Sequence, residues 1–234
     1  MLRPSAFDTK FYGLRIAWLV RDDDEDLESA LAAARRDGYA VVFVRLPDGD
    51  PWCDELARRG YHSIDTLVTS TLSSIVAIPH PPIAVEHQPV VDDPADVAAV
   101  IDITNATLHV SHLHADPRLP REATQALYAA WARNDLAGRG ARTLLARDGG
   151  DVIGYLAVVV RDATAIIDLI AVRPAWHGRG VGSALITSFA AWVREQGLAA
   201  TVGTQAENPA LRLYARCGFV ATQTQLTYHL WLDR

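Results

Sequence analysis

The chain has 234 residues, half of them apolar, with 22 Lys and Arg against 28 Asp and Glu for a formal charge of −6. That length holds one large domain or two small ones with a self-sufficient core, and the acidic balance, with no block of Lys or Arg, argues against nucleic-acid binding and docking on anionic membranes. Only Cys53 and Cys217 are present, neither a disulfide framework nor a metal knuckle, so a reducing cytoplasm is the expected setting.

No apolar h-region follows the first ten residues, and the longest apolar stretch, 152–160, falls far short of the roughly 20 residues of a bilayer span. Neither a leader nor membrane insertion is expected. Residues 14–20 and 40–46 read as short buried strands, and Leu27, Ala30, Leu31 and Ala34 recur between them at helical spacing before Gly38. This is a βαβ unit. The acidic run Asp22 to Asp26 suits a solvated helix start, where carboxylates face the positive end of the dipole. A short helix over 54–59, a strand-like stretch over 64–76 and the prolines Pro79, Pro81 and Pro82 follow, which sets a domain boundary near residue 80. Residues 1–80 are then a small α/β domain and 81–234 a second one.

In the second domain Asp93 is a candidate N-cap, with Pro94 at the first helical position and Asp96 reaching back, for a helix through Val97, Val100, Ile101 and Thr104. Another helix spans 121–136. Strands at 142–147, 152–160 and 164–172 are joined by Gly149-Gly150 and Asp162-Ala163. A helix starting within 178–182 carries Leu185, Phe189, Trp192 and Val193 on one face until Gly197, and strand 199–204, helix 209–217 and a strand pair within 219–232 complete the chain.

The sharpest local feature is the passage from Ile166 to Gly182, in which a strand ends and Gly178, Gly180 and Gly182 precede a helix. Glycines let a ligand reach the backbone at a helix N-terminus, where free N–H groups and the dipole favour a pyrophosphate. A tight strand-to-helix turn packed on glycine is the plainer alternative. The spacing is not G-x-G-x-x-G and no P-loop Lys-Ser/Thr pair is present.

The passage Gly203 to Phe219, with Asn208 in a loop and Leu213-Tyr214 before Gly218-Phe219, resembles the GCN5-related N-acetyltransferases, the GNAT superfamily, as does the glycine turn. The resemblance runs from about residue 90 to 232. It implies a mixed, mostly antiparallel central sheet with splayed strands and flanking helices, here preceded by the small α/β domain. His177 stands where that family usually has Arg or Gln. Phe7 to Gly13, Ser111 to Pro120, Leu127 to Trp131 and Gly203 to Gln205 look like the TDP-fucosamine (dTDP-4-amino-4,6-dideoxygalactose) N-acetyltransferase group, whose members modify sugar nucleotides for surface polysaccharides.

The resemblance implies acetyl-CoA as co-substrate, with pantetheine along Leu169, Ile170, Ala171 and Val172, and the diphosphate on His177, Gly178, Arg179, Gly180, Val181 and Gly182; Asn208 and Tyr214 complete that site. Strict alternation puts Asp168, Ile170 and Val172 on one face and Leu169 and Ala171 on the other. Asp168 is then either a group that holds or deprotonates the amine or a satisfied structural acid. Tyr214 matches the family's general acid, although Ala210, Leu213, Tyr214 and Cys217 also share a helix face that suits core packing. His112, His114 and Arg118 are candidates for the acceptor amine. His109, His112, His114 and Asp116 are of ligand type, but their spacing fits no zinc pattern, and no metal is expected. The expected partner is a small-molecule amine, an amino-sugar nucleotide first. Another small amine, an antibiotic, a peptide N-terminus or a silent acyl-CoA-binding module are the alternatives. A homodimer is compatible with the sequence.

Overall fold

The computed structural model describes residues 1–22, 26–74, 76 and 82–232. In chain order the first elements are β1 (Leu2–Pro4), α1 (Ala6–Tyr12), β2 (Ile16–Leu19), α2 (Leu27–Arg36), β3 (Val41–Pro47), α3 (Pro51–Arg58), β4 (Asp65–Leu72), β5 (Ala84–Gln88) and α4 (Pro94–Thr107). A single turn α5 (His112–Ala115) and α6 (Arg121–Asn134) follow, the latter continued by a π turn over Asp135–Arg139. Then come β6 (Arg142–Asp148), β7 (Asp151–Arg161), β8 (Thr164–Val172), α7 (Val181–Glu195), β9 (Ala199–Gln205), α8 (Ala210–Arg216) and β10 (Phe219–Trp231). Among the described residues no helix is long and apolar enough to cross a membrane.

The chain forms two compact units that are not contiguous in sequence. The first takes Met1–Val68, Val110–Leu127 and Gln223–Arg234, and the second takes Thr69–His109 and Tyr128–Thr222. The boundary read near residue 80 lies outside the described residues, and the division by contacts differs from it because segments 110–127 and 223–232 join the N-terminal βαβ unit.

In the first unit β2 pairs parallel with β3, from Ile16↔Val41 to Leu19↔Val44, with α2 as the crossover. The Asp26 carboxylate caps α2 by accepting from the Ser29 N–H, and this bond holds the carboxyl below its ordinary range. Residues 23–25 of the acidic run lie outside the described residues. Leu27, Leu31 and Ala34 of α2 meet Val42, Val44 and Leu46 of β3, Leu56 of α3 and Leu230 of β10 in one core. The helix expected over 54–59 begins at Pro51, because Asp50 accepts from the Trp52 N–H and Pro51 supplies the first helical φ.

In the second unit β5, β6, β7 and β8 run antiparallel, and β9 lies parallel to β8. Apolar residues cover both faces. Val181, Leu185, Ile186 and Phe189 of α7 pack on one, against Leu156, Val158 and Ile167. Val100, Ile101 and Ile103 of α4, with Ala129 and Ala132 of α6, pack on the other, against Tyr155, Ala157, Leu169 and Ala171. The hairpin between β7 and β8 turns at Asp162 and Ala163, both left-handed, as a two-residue turn requires. Asp93 caps α4 as expected, but Asp96 does not reach back: its carboxylate pairs with Arg147 at 2.5 Å.

The strand pair expected within 219–232 is a single strand, β10. Between Phe219 and Trp231 no Gly, Pro, Asn or Asp supplies a turn, so the chain stays extended for 13 residues. Just before it Gly218 adopts φ +94°, and a Cβ there would stand 1.8 Å from the Ser74 carbonyl oxygen. The Gly218 carbonyl in turn accepts from the Ser73 N–H at 3.0 Å. Gly218→Ala should therefore cost about 3 kcal/mol. Differential scanning calorimetry should show a melting midpoint lower by roughly 6–12 °C. An unchanged midpoint would mean that residues 73–74 yield without penalty.

Candidate active site

The site in the second unit starts where two strands part. β8 and β9 pair from Thr164↔Ala199 to Ile167↔Val202 and no further, so the β9-side edge of residues 168–172 has no strand partner among the described residues. Peptide groups on such an edge can take an extended ligand chain. The chain then makes a 3₁₀ turn at Pro174–Trp176, and His177 closes it by donating from Nε2 to the Val172 carbonyl at 2.8 Å. The His177 ring thus ties the turn to the strand end. Arg179 is exposed, its guanidinium 5.1 Å from the Trp176 ring centroid.

Gly178 and Gly180 both have left-handed φ, +74° and +84°. Gly180 caps α7 without a side-chain bond and no acidic residue stands in the first turn. The first bond into the helix is from the Ala184 N–H to the Gly180 carbonyl, leaving the N–H groups of Val181, Gly182 and Ser183 as the helix's unsatisfied donors. These donors and the dipole suit a phosphate. Gly182 lies against α8: a Cβ on it would meet Leu213 Cδ2 at 2.8 Å.

Asp168 stands at a bulge. Ala157 faces Leu169 and Val158 faces Ile167, so Asp168 is the extra residue in β8. The strict alternation read from the sequence is corrected here: Ile167 and Ile170 belong to the core under α7, and Asp168 joins Leu169 and Ala171 on the opposite side. An extra residue shifts the period by one. There the Asp168 carboxylate accepts from Trp131 Nε1 at 2.7 Å and pairs with Arg139.

Tyr214 is 3% exposed and packs with Phe219 in the core under α7. Its hydroxyl has no hydrogen-bond partner among the described residues. Burial pushes the phenol above its ordinary range, with the neighbouring Cys217 adding to the effect, so the hydroxyl stays protonated and serves as a donor. Cys217 is itself pushed up to about 11 by burial, which makes it a packed thiol. Asn208 accepts from the Ala210 N–H through Oδ1 at 2.9 Å and so opens α8.

In the first unit His112, His114 and Arg118 stand on one short segment. Ser111 Oγ bonds His114 Nδ1 at 2.8 Å, and the Arg118 guanidinium lies 3.8 Å over the Trp231 ring. His112 is enclosed, with the rings of Trp18 and Phe43 5.5 and 5.4 Å from its own. Its Nδ1 bonds His229 Nε2 at 2.8 Å, and His229 Nδ1 donates to Asp116 Oδ2 at 2.6 Å, as does Trp231 Nε1 at 2.9 Å. Burial lifts the Asp116 carboxyl, but the bonds from His229, the Arg118 N–H and Trp231 outweigh it and hold the group below its ordinary range. Burial holds His112 well below 6.5, and His229, Arg45 and His114 add to this. His229 and Trp231 had no signal in the sequence, since strand residues over a hundred positions away become partners only on folding.

The acetyltransferase (GNAT) family model matches residues 100–219, half of the chain. The chain belongs to the GNAT acetyltransferase family. It is 30% identical over 211 residues to the spore coat polysaccharide biosynthesis protein SpsD of Bacillus subtilis, a match that covers 87% of this chain and 71% of that protein. Two solved structures share the fold. The GCN5-related N-acetyltransferase of Kribbella flavida has a TM-score of 0.60 at 18% identity, covering 92% of this chain and 81% of that one. That of Sphaerobacter thermophilus has 0.59 at 16% identity, covering 83% of this chain, which spans 60% of that structure's length. The GNAT match takes in β8, the glycine turn, α7 and α8, and the chain is an acetyl-CoA-dependent N-acetyltransferase of the GNAT type.

His112 generates a prediction of its own. It is neutral when folded but charged when unfolded in acid, so the unfolded state binds the extra proton and stability falls as pH drops below about 6.5. Asp8 and Asp135, whose carboxyls burial pushes up, Asp135 to about 7, work in the opposite sense, and they do so equally with and without His112. Between pH 7.5 and 5.5 the urea midpoint of the wild type should therefore lose more, or gain less, than that of His112→Gln. An equal acid loss in His112→Gln would locate the titration elsewhere.

Proposed function

We propose that this acetyltransferase moves the acetyl group of acetyl-CoA to the primary amine of an amino-sugar nucleotide of the dTDP-4-amino-4,6-dideoxyhexose type. The observation that carries the reading is the open edge of β8 running into the uncapped N-terminus of α7. Residues 169–172 offer peptide groups to the two amides of pantetheine, and Gly178 to Gly182 offer N–H groups to the diphosphate. The bound co-substrate supplies an acyl group activated as a thioester. The name of the B. subtilis relative, a polysaccharide biosynthesis protein, supports an amino sugar as acceptor.

On this reading Asp168 receives the proton that the amine must lose, and Tyr214 donates a hydrogen bond to the sulfur as its charge develops. A thiol ordinarily titrates near ~8.5 and this phenol above its usual ~10, so full transfer to a finished thiolate runs uphill. Stabilisation of partial charge in the transition state is the role that remains. A protein of charge −6 does not attract the acceptor's phosphates as a whole, so local donors must supply that attraction.

Tyr214→Phe keeps the packing and removes only an unpaired hydroxyl, so the fold should be retained while kcat falls about 10²–10⁴-fold. Calorimetric acetyl-CoA affinity should hardly change; a loss of turnover below threefold would assign Tyr214 to packing. For the acceptor, dTDP-4-amino-4,6-dideoxygalactose and the free amino sugar should be compared. The nucleotide form should show the higher kcat/KM, by about tenfold or more. Equal kcat/KM for both acceptors would replace the sugar nucleotide by a plain small amine.

A further inference from the structure

Asp135 is a carboxylate that the transfer as proposed leaves unused. It stands in the turn that closes α6, where Gly138 has a left-handed φ of +92°. Its side chain is 1% exposed. Oδ1 accepts from Arg139 Nε at 2.9 Å and Nη2 at 2.5 Å, while Oδ2 is buried without a donor among the described residues. The same Nη2 also donates to Asp168 Oδ2, the oxygen that accepts from Trp131. One guanidinium nitrogen therefore binds two carboxylates.

One cation cannot neutralise two buried anions. The charged groups facing Asp135 are Asp168 on β8 and Arg139 on its own turn, and the neighbouring titratable side chain is Tyr155 on β7, itself beside Tyr128 of α6. Tyr155 cannot supply the missing proton: Thr104 gives its single hydrogen to the Val100 carbonyl, so Tyr155 must donate to Thr104, 2.7 Å away. Two carboxylates so placed relieve their repulsion by holding one proton between them.

We propose that Asp135 and Asp168 share a proton, and that this pair, held by Arg139 and Trp131, is, once it has released that proton to solvent, the acceptor for the proton of the incoming amine. Asp168 is the member that meets the amine, and Asp135 acts through it as a positioning residue that sets its basicity. The inference rests on the reading of Asp168 given above. As the amine nitrogen forms its bond to the acetyl carbon, the C–S bond breaks and its electron pair leaves with sulfur. The proton on nitrogen passes to Asp168, and the pair goes from two negative charges to one. The thiolate later takes a proton from solvent, and the pair returns its own to solvent. Burial and the Asp168 charge push the Asp135 carboxyl up to about 7 against the pull of Arg139, which places the pair's upper titration where a base works at neutral pH.

The test begins without any ligand. Carboxyl-carbon NMR of the wild-type protein labelled at aspartate should show a carboxyl titrating near pH 7, and in Asp168→Asn it should move down by more than one pH unit. Asp135→Asn keeps an oxygen for Arg139 and gives Asp168 a permanent N–H donor. With dTDP-4-amino-4,6-dideoxygalactose as acceptor, its acid limb of kcat/KM should shift down by at least one pH unit and its plateau fall about 10-fold or more. No wild-type aspartate titrating above about pH 6, or one unmoved by Asp168→Asn, overturns the shared proton. An unmoved acid limb in Asp135→Asn overturns its role in the transfer. Unchanged kcat/KM in Asp168→Asn would instead remove the reading beneath, since Asp168 would then not be the proton acceptor at all.

Discussion

The site depends on one separation: β8 and β9 hold together for four residue pairs and then part. While they pair, their backbone groups satisfy one another. Beyond Ile167 this edge of β8 faces no strand among the described residues. The bulge at Asp168 falls at the same point, which turns a carboxylate toward α6 at the level where the open edge begins. Pairing, bulge and helix start therefore occur within about fifteen residues of one another, and loss of any of them would disarrange the others.

Much of the fold was legible because its signals are local. Asp26 and Gly38 bracket α2, the apolar spacing between them matches the buried face, and Asp162-Ala163 and Gly149-Gly150 turn where a two-residue connection needs them. The glycine turn was equally readable, since a positive φ and a bare helix start are properties of neighbouring residues. The bulge was not. Residues 164–172 are apolar apart from Thr164 and Asp168, and such a run fits either register of alternation until β7 is laid beside it. The short elements α1 and β5 also escaped, the first lacking a buried face and the second following the prolines.

Partnerships between distant residues were the least legible. Asp135 and Arg139 stand four apart, a spacing that alone suggests a surface ion pair. Only folding brings Asp168 to the same guanidinium. His112 in turn was read as a polar recognition residue, yet it lies between two aromatic rings with its Nδ1 bonded to His229 of β10. Both units thus bury titratable groups in hydrogen-bonded chains, where protonation state follows from the neighbours rather than from bulk pH.

The contact between Gly182 and Leu213 links two parts of the site that a linear reading keeps apart. Gly182 belongs to the first turn of α7, and Leu213 immediately precedes Tyr214 on α8. Any side chain at 182 forces Leu213 to retract from the glycine turn. The two positions therefore form a size pair. An alanine at 182 is therefore accommodated by a shorter side chain at 213, while Tyr214 stays where it is.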